Sequence, residues 1–180
     1  MRADAERNRQ RLIEVAREAF AADGPEVALE EIARRAEVGI GTLYRHFPTR
    51  DALLAEIYRN ALRQLADAAP RLAADHPPLE ALRAWMRLFV DYMVTKKVIA
   101  PALSISPSQS SLYAGSADAI RAAMNGLIER AVAVGEIRVT MDPLDLLRAI
   151  AGLATSDPSG GWREAAFTLI DVLIAGMRAS

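Results

Sequence analysis

The chain has 180 residues, 52% of them apolar and 25% charged, with a net charge of −1, a size that fits one full domain or two small ones. No stretch nears the roughly 18 uninterrupted apolar residues of a membrane span. The charged opening MRADAERNRQ also lacks the apolar core of a secretory signal, so a cytoplasmic protein without a membrane partner is expected. With no cysteine and only His46 and His76 as imidazoles, disulfides, thiolate zinc sites, cysteine nucleophiles and histidine-rich metal centres are excluded, and neither a metal nor a cofactor is expected.

Apolar residues recur at helical spacing nearly throughout, and no run alternates as a half-buried strand does. Residues 4–23 carry Leu12, Ile13, Ala16, Ala19 and Phe20 on one stripe, stopped by Gly24-Pro25. A short helix over 29–36 is broken at Glu37-Val38-Gly39, and a third over 40–47 ends at Pro48. Thr49 is a natural cap for a long fourth helix, 49–75, with Asp51 in its first turn, where the helix dipole favours an anion. His76-Pro77-Pro78 is the clearest composition break and opens a fifth helix over 78–95. A short apolar piece about Pro101 follows, and SISPSQSS, 104–111, reads as a loop. A helix over roughly 110–134 ends at Gly135, Asp142-Pro143 opens another over 143–155, and after the loop at Asp157–Gly161 a last helix covers 162–178. The prediction is an all-α protein of about nine helices. It divides into a three-helix head, 1–48, and a second domain, 49–180, with helix 49–75 connecting them.

Overall charge does not advertise a nucleic-acid partner: residues 1–60 carry ten basic and eleven acidic side chains, and 61–180 carry twelve of each. Placement does. The segment from Val38 to Arg50 holds Arg45, His46 and Arg50 and no acid.

A helix-turn-helix needs two short helices joined by about three residues, a small residue where they cross and apolar residues to fasten the second. In LEEIARRAEVGIGTLYRHFPTRDALL, residues 29–54, Ala33 is the small residue and Val38 and Leu43 are the fasteners. That leaves Ile40, Gly41, Thr42, Tyr44, Arg45 and His46 on the open side. Their hydroxyl, phenol, guanidinium and imidazole groups suit phosphate oxygens and base edges, and the glycines let the backbone approach closely. Leu43 and Phe47 already supply an apolar face, so Tyr44 reads as DNA-facing rather than core.

Residues 8–54, above all GTLYRHFPTRDALL, resemble the DNA-binding domain of the tetracycline-repressor (TetR) family, and the remaining helices fit that family's architecture in number and length. The resemblance implies a homodimeric transcriptional regulator and not an enzyme, most often a repressor. A small, mostly apolar effector in the C-terminal domain would release it from a palindromic operator. Carried over by position, Thr42, Tyr44, His46 and Arg50 would contact phosphates, while Ile40, Gly41 and Arg45 would face the bases. Arg45 is the candidate for a bidentate guanine contact. Two positions depart from the family pattern. Glu37 stands where glycine is usual, and a left-handed backbone there costs on the order of 1 kcal/mol. Ala28 stands where serine or threonine commonly caps the second helix, a loss of about 1 kcal/mol. Both point to a weaker or re-oriented head.

Arg2, Arg7, Arg9 and Arg11 read either as a solvated face or as a basic arm on the DNA backbone. His76, at a helix end before Pro77-Pro78, reads as solvated or C-capping. In the second domain Trp85, Phe89 and Met93 follow one stripe and, with Tyr113 and Met124, suggest an apolar ligand pocket, because methionine and aromatic side chains line adaptable cavities. Residue by residue, ordinary core is the competing reading. The apolar band of the last helix is wider than one core-facing stripe requires. An isologous four-helix dimer is therefore expected, through Leu147, Ala151, Phe167, Ile170, Leu173 and Ile174, with Ala149, Gly152 and Ala166 allowing close approach. Serines in 104–116 come without a nucleophile elbow or a suitably placed histidine, which argues against an enzyme. The alternative is a helical protein-interaction module with a disabled DNA-binding head.

Overall fold

The structure, a computed structural model, describes residues 2–24, 26–99, 107–156 and 161–179. These form eight helices: α1 (Arg2–Asp23), α2 (Leu29–Arg35), α3 (Ile40–His46), α4 (Arg50–Asp75), α5 (Pro78–Ile99), α6 (Pro107–Ala133), α7 (Pro143–Ser156) and α8 (Trp162–Met177). The fold is all-α as predicted, with one helix fewer among the described residues. α5 runs on through Lys96-Lys97 to Ile99, and the rest of the expected short piece, about Pro101, lies outside the described residues. α6 begins at Pro107, so the second half of the tract read as a loop is helical; proline at the first helical position opens the helix without losing a bond. The only β pairing among the described residues is an isolated bridge between Ile137 and Arg178. No helix among them is long and apolar enough to cross a membrane.

The chain forms two compact units, Met1–Ala61 with Thr95–Leu112, and Leu62–Val94 with Tyr113–Ser180. In the first, α1 packs on α2 and α3. Leu12, Ile13, Ala16 and Phe20 of α1, Ile32 and Ala33 of α2, and Leu43 of α3 are buried with Leu53, Leu54, Ile57 and Tyr58 of α4. In the second, α7 packs on α8. Leu146, Leu147, Ile150 and Ala154 are buried there with Trp162, Ala166, Ile170 and Ile174.

The helix ends follow their local chemistry. Thr49 Oγ1 accepts the Ala52 N–H at 3.1 Å, capping α4. Asp142 Oδ1 accepts the Leu144 N–H at 2.8 Å, with Pro143 at the first helical position of α7. α6 ends at Gly135 (φ 77), where the Glu136 N–H reaches the Ala131 carbonyl at 3.0 Å and the Gly135 N–H the Val132 carbonyl at 2.9 Å. This paired closure needs a left-handed residue. Within α4, Pro70 lacks an N–H and crowds the preceding turn. A carbonyl of that turn, Leu65, accepts the indole N–H of the fully buried Trp85 at 2.8 Å.

Candidate nucleic-acid interface

α2 and α3 are each seven residues long, too short to persist alone in water, so packing holds them. Ala33 is buried where the helices meet, Leu43 is fully buried, and Val38 in the turn is half-buried. The turn is the same paired closure that ends α6: the Val38 N–H reaches the Ala33 carbonyl at 3.0 Å and the Glu37 N–H the Arg34 carbonyl at 3.1 Å. Here Glu37, not glycine, takes the left-handed position, at φ 54. Arg11 of α1 braces it, its Nε donating to the Ala36 carbonyl at 2.6 Å and its Nη2 to the Glu37 carboxylate at 3.1 Å. At the other end of α2, Ala28 sits at the cap position in extended backbone with no side-chain hydrogen bond.

The face of α3 turned from the core carries Ile40, Gly41, Tyr44 and Arg45, all exposed, with Thr42 and His46 half-buried. Ile40 is 37% and Tyr44 43% exposed, the two large apolar side chains of the head left open to solvent among the described residues. The Arg45 Nε bonds back to the Gly41 carbonyl at 3.1 Å, which lays its guanidinium along the open face. His46 tilts against Phe47 at 6.2 Å between ring centroids. Arg50 is half-buried, its guanidinium 5.9 Å from the centre of the Phe20 ring, so it starts α4 fixed against α1.

The N-terminal arginines are largely engaged within the first compact unit. Arg7 pairs with Asp4, Arg9 with Glu56 and Arg11 with Glu37; the side chain of Arg2 lies outside the described residues. On α2, Glu31 accepts from Arg34 and Arg35 at 2.7–2.8 Å. Those hydrogen bonds, Arg34 first, hold its carboxyl down from the ordinary 4.5 to about 2, and Glu31 in turn raises both arginines. Arg35 also reaches Asp23 of α1 at 2.7 Å.

Of the residues expected around a ligand, Trp85, Phe89, Met93 and Met124 are all buried in or beside the core of the second unit, with Trp85 stacked on Phe89 at 6.4 Å. The side chain of Tyr113 lies outside the described residues. Trp85 already has its polar partner in Leu65, so it anchors α5 to α4. His76 is exposed, in the link between those helices. An open apolar groove of about 410 Å³, between the end of α6 and the start of α7, is lined by Ile128, Val132, Val139 and Met141 and includes none of the expected pocket residues.

Of the residues expected at a dimer interface, Leu147, Ile170 and Ile174 are buried within the protomer, and so is Ala166. Ala151, Phe167 and Leu173 are half-buried. The guanidinium groups of Arg87 and Arg163 both lie over the Phe167 ring, 5.4 and 5.5 Å from its centre. Arg87 pairs in turn with Asp171 and Arg163 with Asp91. The outer stripe of α8 is instead Ala165, Thr168, Val172 and Gly176, and that of α7 is Ala149, Gly152 and Thr155. Helical spacing identifies an apolar band but does not say which part of it the protomer covers itself.

The pairing of Arg9 with Glu56 was missed from the sequence. Its one visible signal was an acid on the buried stripe of α4, between Leu53 and Asn60.

Comparison with known proteins agrees with this geometry. Residues 12–57 match the model of the N-terminal domain of bacterial TetR-family regulatory proteins. Residues 77–179 match the C-terminal domain of SbtR-like transcriptional regulators. A TetR transcriptional regulator from Streptomyces coelicolor superposes with a TM-score of 0.83 at 39% identity, covering 96% of this chain and 99% of that one. A TetR regulatory protein from Mycobacterium vanbaalenii gives 0.80 at 33% identity, covering 99% of both. An HTH-type transcriptional regulator of Staphylococcus aureus is 26% identical over 115 residues, 63% of this chain and 62% of that protein's length. With a helix-turn-helix head whose second helix opens to solvent, and with both of its domains matched, the chain belongs to the TetR family of DNA-binding transcriptional regulators, a family of regulators rather than enzymes.

Proposed function

We propose that the protein is a cytoplasmic homodimeric repressor that a small, mostly apolar effector releases from a palindromic operator. The supporting observation is the outer face of α3, where exposed Ile40, Tyr44 and Arg45 stand on a helix held from behind by fully buried Leu43. In this reading Thr42, Tyr44, His46 and Arg50 contact phosphates, and Ile40, Gly41 and Arg45 face base edges in the major groove. The head is 1–48 and the effector and dimerisation domain 49–180. Trp85, Phe89, Met93, Tyr113 and Met124 border the effector, which acts by binding the DNA-incompetent arrangement more tightly. Each factor of ten in release needs about 1.4 kcal/mol of that preference. The dimer forms through α7 and α8.

A second reading, a protein-interaction module with a disabled head, draws on two observations: the left-handed Glu37 and the uncapped Ala28. Mobility shifts of the wild-type chain on its own upstream DNA, across a salt series, separate the two. A repressor head gives binding that falls steeply with salt as phosphates are neutralised. Arg45→Ala then loses about 1–3 kcal/mol and relaxes specificity at one base pair, and Tyr44→Ala weakens binding to all sequences alike. If neither that DNA nor a duplex selected from random sequence binds, the interaction-module reading stands.

A further inference from the structure

Glu56, on α4, is an acid buried in the first compact unit, its side chain only 8% exposed. Its neighbours Leu53, Ile57 and Asn60 on α4 are buried too. A carboxylate taken out of water persists there only when paired. Two guanidinium groups supply the pairing, Arg9 at 2.8 Å and Arg59 at 2.8 Å. Arg59 lies one turn away on the same helix, so it ties Glu56 to nothing else. Arg9 comes from α1, and its guanidinium also lies over the Phe47 ring, 5.7 Å from the centre. Phe47 closes α3: it is 3% exposed, and its N–H meets the Leu43 carbonyl at 2.8 Å. One guanidinium thus pairs with α4 and lies over the ring that ends α3, two contacts that the single ammonium of lysine does not combine in the same way.

We propose that Arg9 and Glu56 are positioning residues for DNA reading: paired with each other, and with Arg9 lying over the ring of Phe47, they set the angle of α3 against α4, and neither touches DNA. The inference rests on the DNA-reading function proposed above. Two simpler roles compete with it. Arg9 could serve as a phosphate contact of a basic arm, or the cluster could serve stability alone.

The test uses the full chain and a duplex enriched from random DNA by the wild-type protein, with affinity measured across a salt series. Arg9→Lys, Glu56→Gln and Phe47→Leu are each expected to weaken binding on the order of tenfold, with the Arg9→Lys/Glu56→Gln double variant no weaker than the worse single, as for groups acting as one unit. The salt slope stays at the wild-type value, since no phosphate contact is removed. Circular dichroism and thermal melting establish that each variant is folded at the assay temperature. Phe47→Leu and Arg9→Lys carry the test if Glu56→Gln does not fold. Wild-type affinity in Arg9→Lys overturns the proposal in favour of simple charge. Lower melting temperatures with unchanged affinity overturn it in favour of stability alone. If the wild-type chain enriches no duplex, the DNA-reading function has failed as well, a result visible before any variant is made.

Discussion

Glu37 takes at φ 54 a conformation that Gly24 and Gly135 take elsewhere in the chain at φ 88 and 77. A Cβ in that region crowds the following carbonyl, so Glu37→Gly is expected to raise stability by about 1 kcal/mol in urea unfolding. The lost pair with Arg11 subtracts little, because Glu37 is largely in water and Arg11 about half so, and exposed pairs contribute a few tenths. A Glu37→Gly chain no more stable than its parent would mean that the Arg11 brace offsets the strain in full. Ala28→Ser supplies the missing cap of α2 and adds about 1 kcal/mol by the same measurement. Glu31 carries a pH prediction. Its folded carboxyl titrates near 2 against an ordinary 4.5, so its contribution to stability is complete above 4.5 and disappears as the pH falls towards 2. Carboxyl chemical shifts followed through that window should give a midpoint near 2, moving up towards 4.5 in Arg34→Ala.

At the scale of elements, Trp85 joins α5 to the turn of α4 that precedes Pro70. Trp85→Phe removes the donor to Leu65 and leaves a void beside it, and a loss of about 2–3 kcal/mol is expected by urea unfolding. A neutral result would mean that the helical bond of the Leu65 carbonyl suffices and that the site closes over the void. Most helix boundaries were legible because the residues that set them act locally: Gly24 stops α1, Thr49 caps α4, and Asp142-Pro143 starts α7. The start of α6 was not. Serine-rich composition reads as loop by its competing side-chain bonds, whereas Pro107 at the first position is neutral towards a helix. The open side of α3 could be read because Leu43 and Phe47 already supply its core-facing stripe. The engagement of Arg9 with Glu56 depends on residues 47 positions apart meeting in space, and no periodicity encodes that. The same limit hid the Arg87 guanidinium of α5 over Phe167 of α8, whereas Arg163 lies one turn before that ring on its own helix.

For the whole molecule, the proposed dimer has to use what the protomer leaves open. Val172 is 61% exposed on the outer stripe of α8, flanked by the small residues that let helices approach. Val172→Glu is therefore expected to leave the protomer folded while shifting sedimentation from dimer to monomer and abolishing tight operator binding. A dimer unchanged by that substitution would place the interface elsewhere. A different consequence follows from where the indoles lie. Trp85 and Trp162 are the chain's two tryptophans and both are buried. Both also belong to the unit built from Leu62–Val94 and Tyr113–Ser180. Their emission reports on that unit while the reading head stays dark, whereas far-ultraviolet ellipticity weighs every helix alike. Unfolding curves that coincide by the two signals would mean that the units melt together, and curves that separate would give the head its own midpoint. An indole placed at exposed Tyr44 would be the head's sole emitter, lighting the recognition helix without disturbing what holds it.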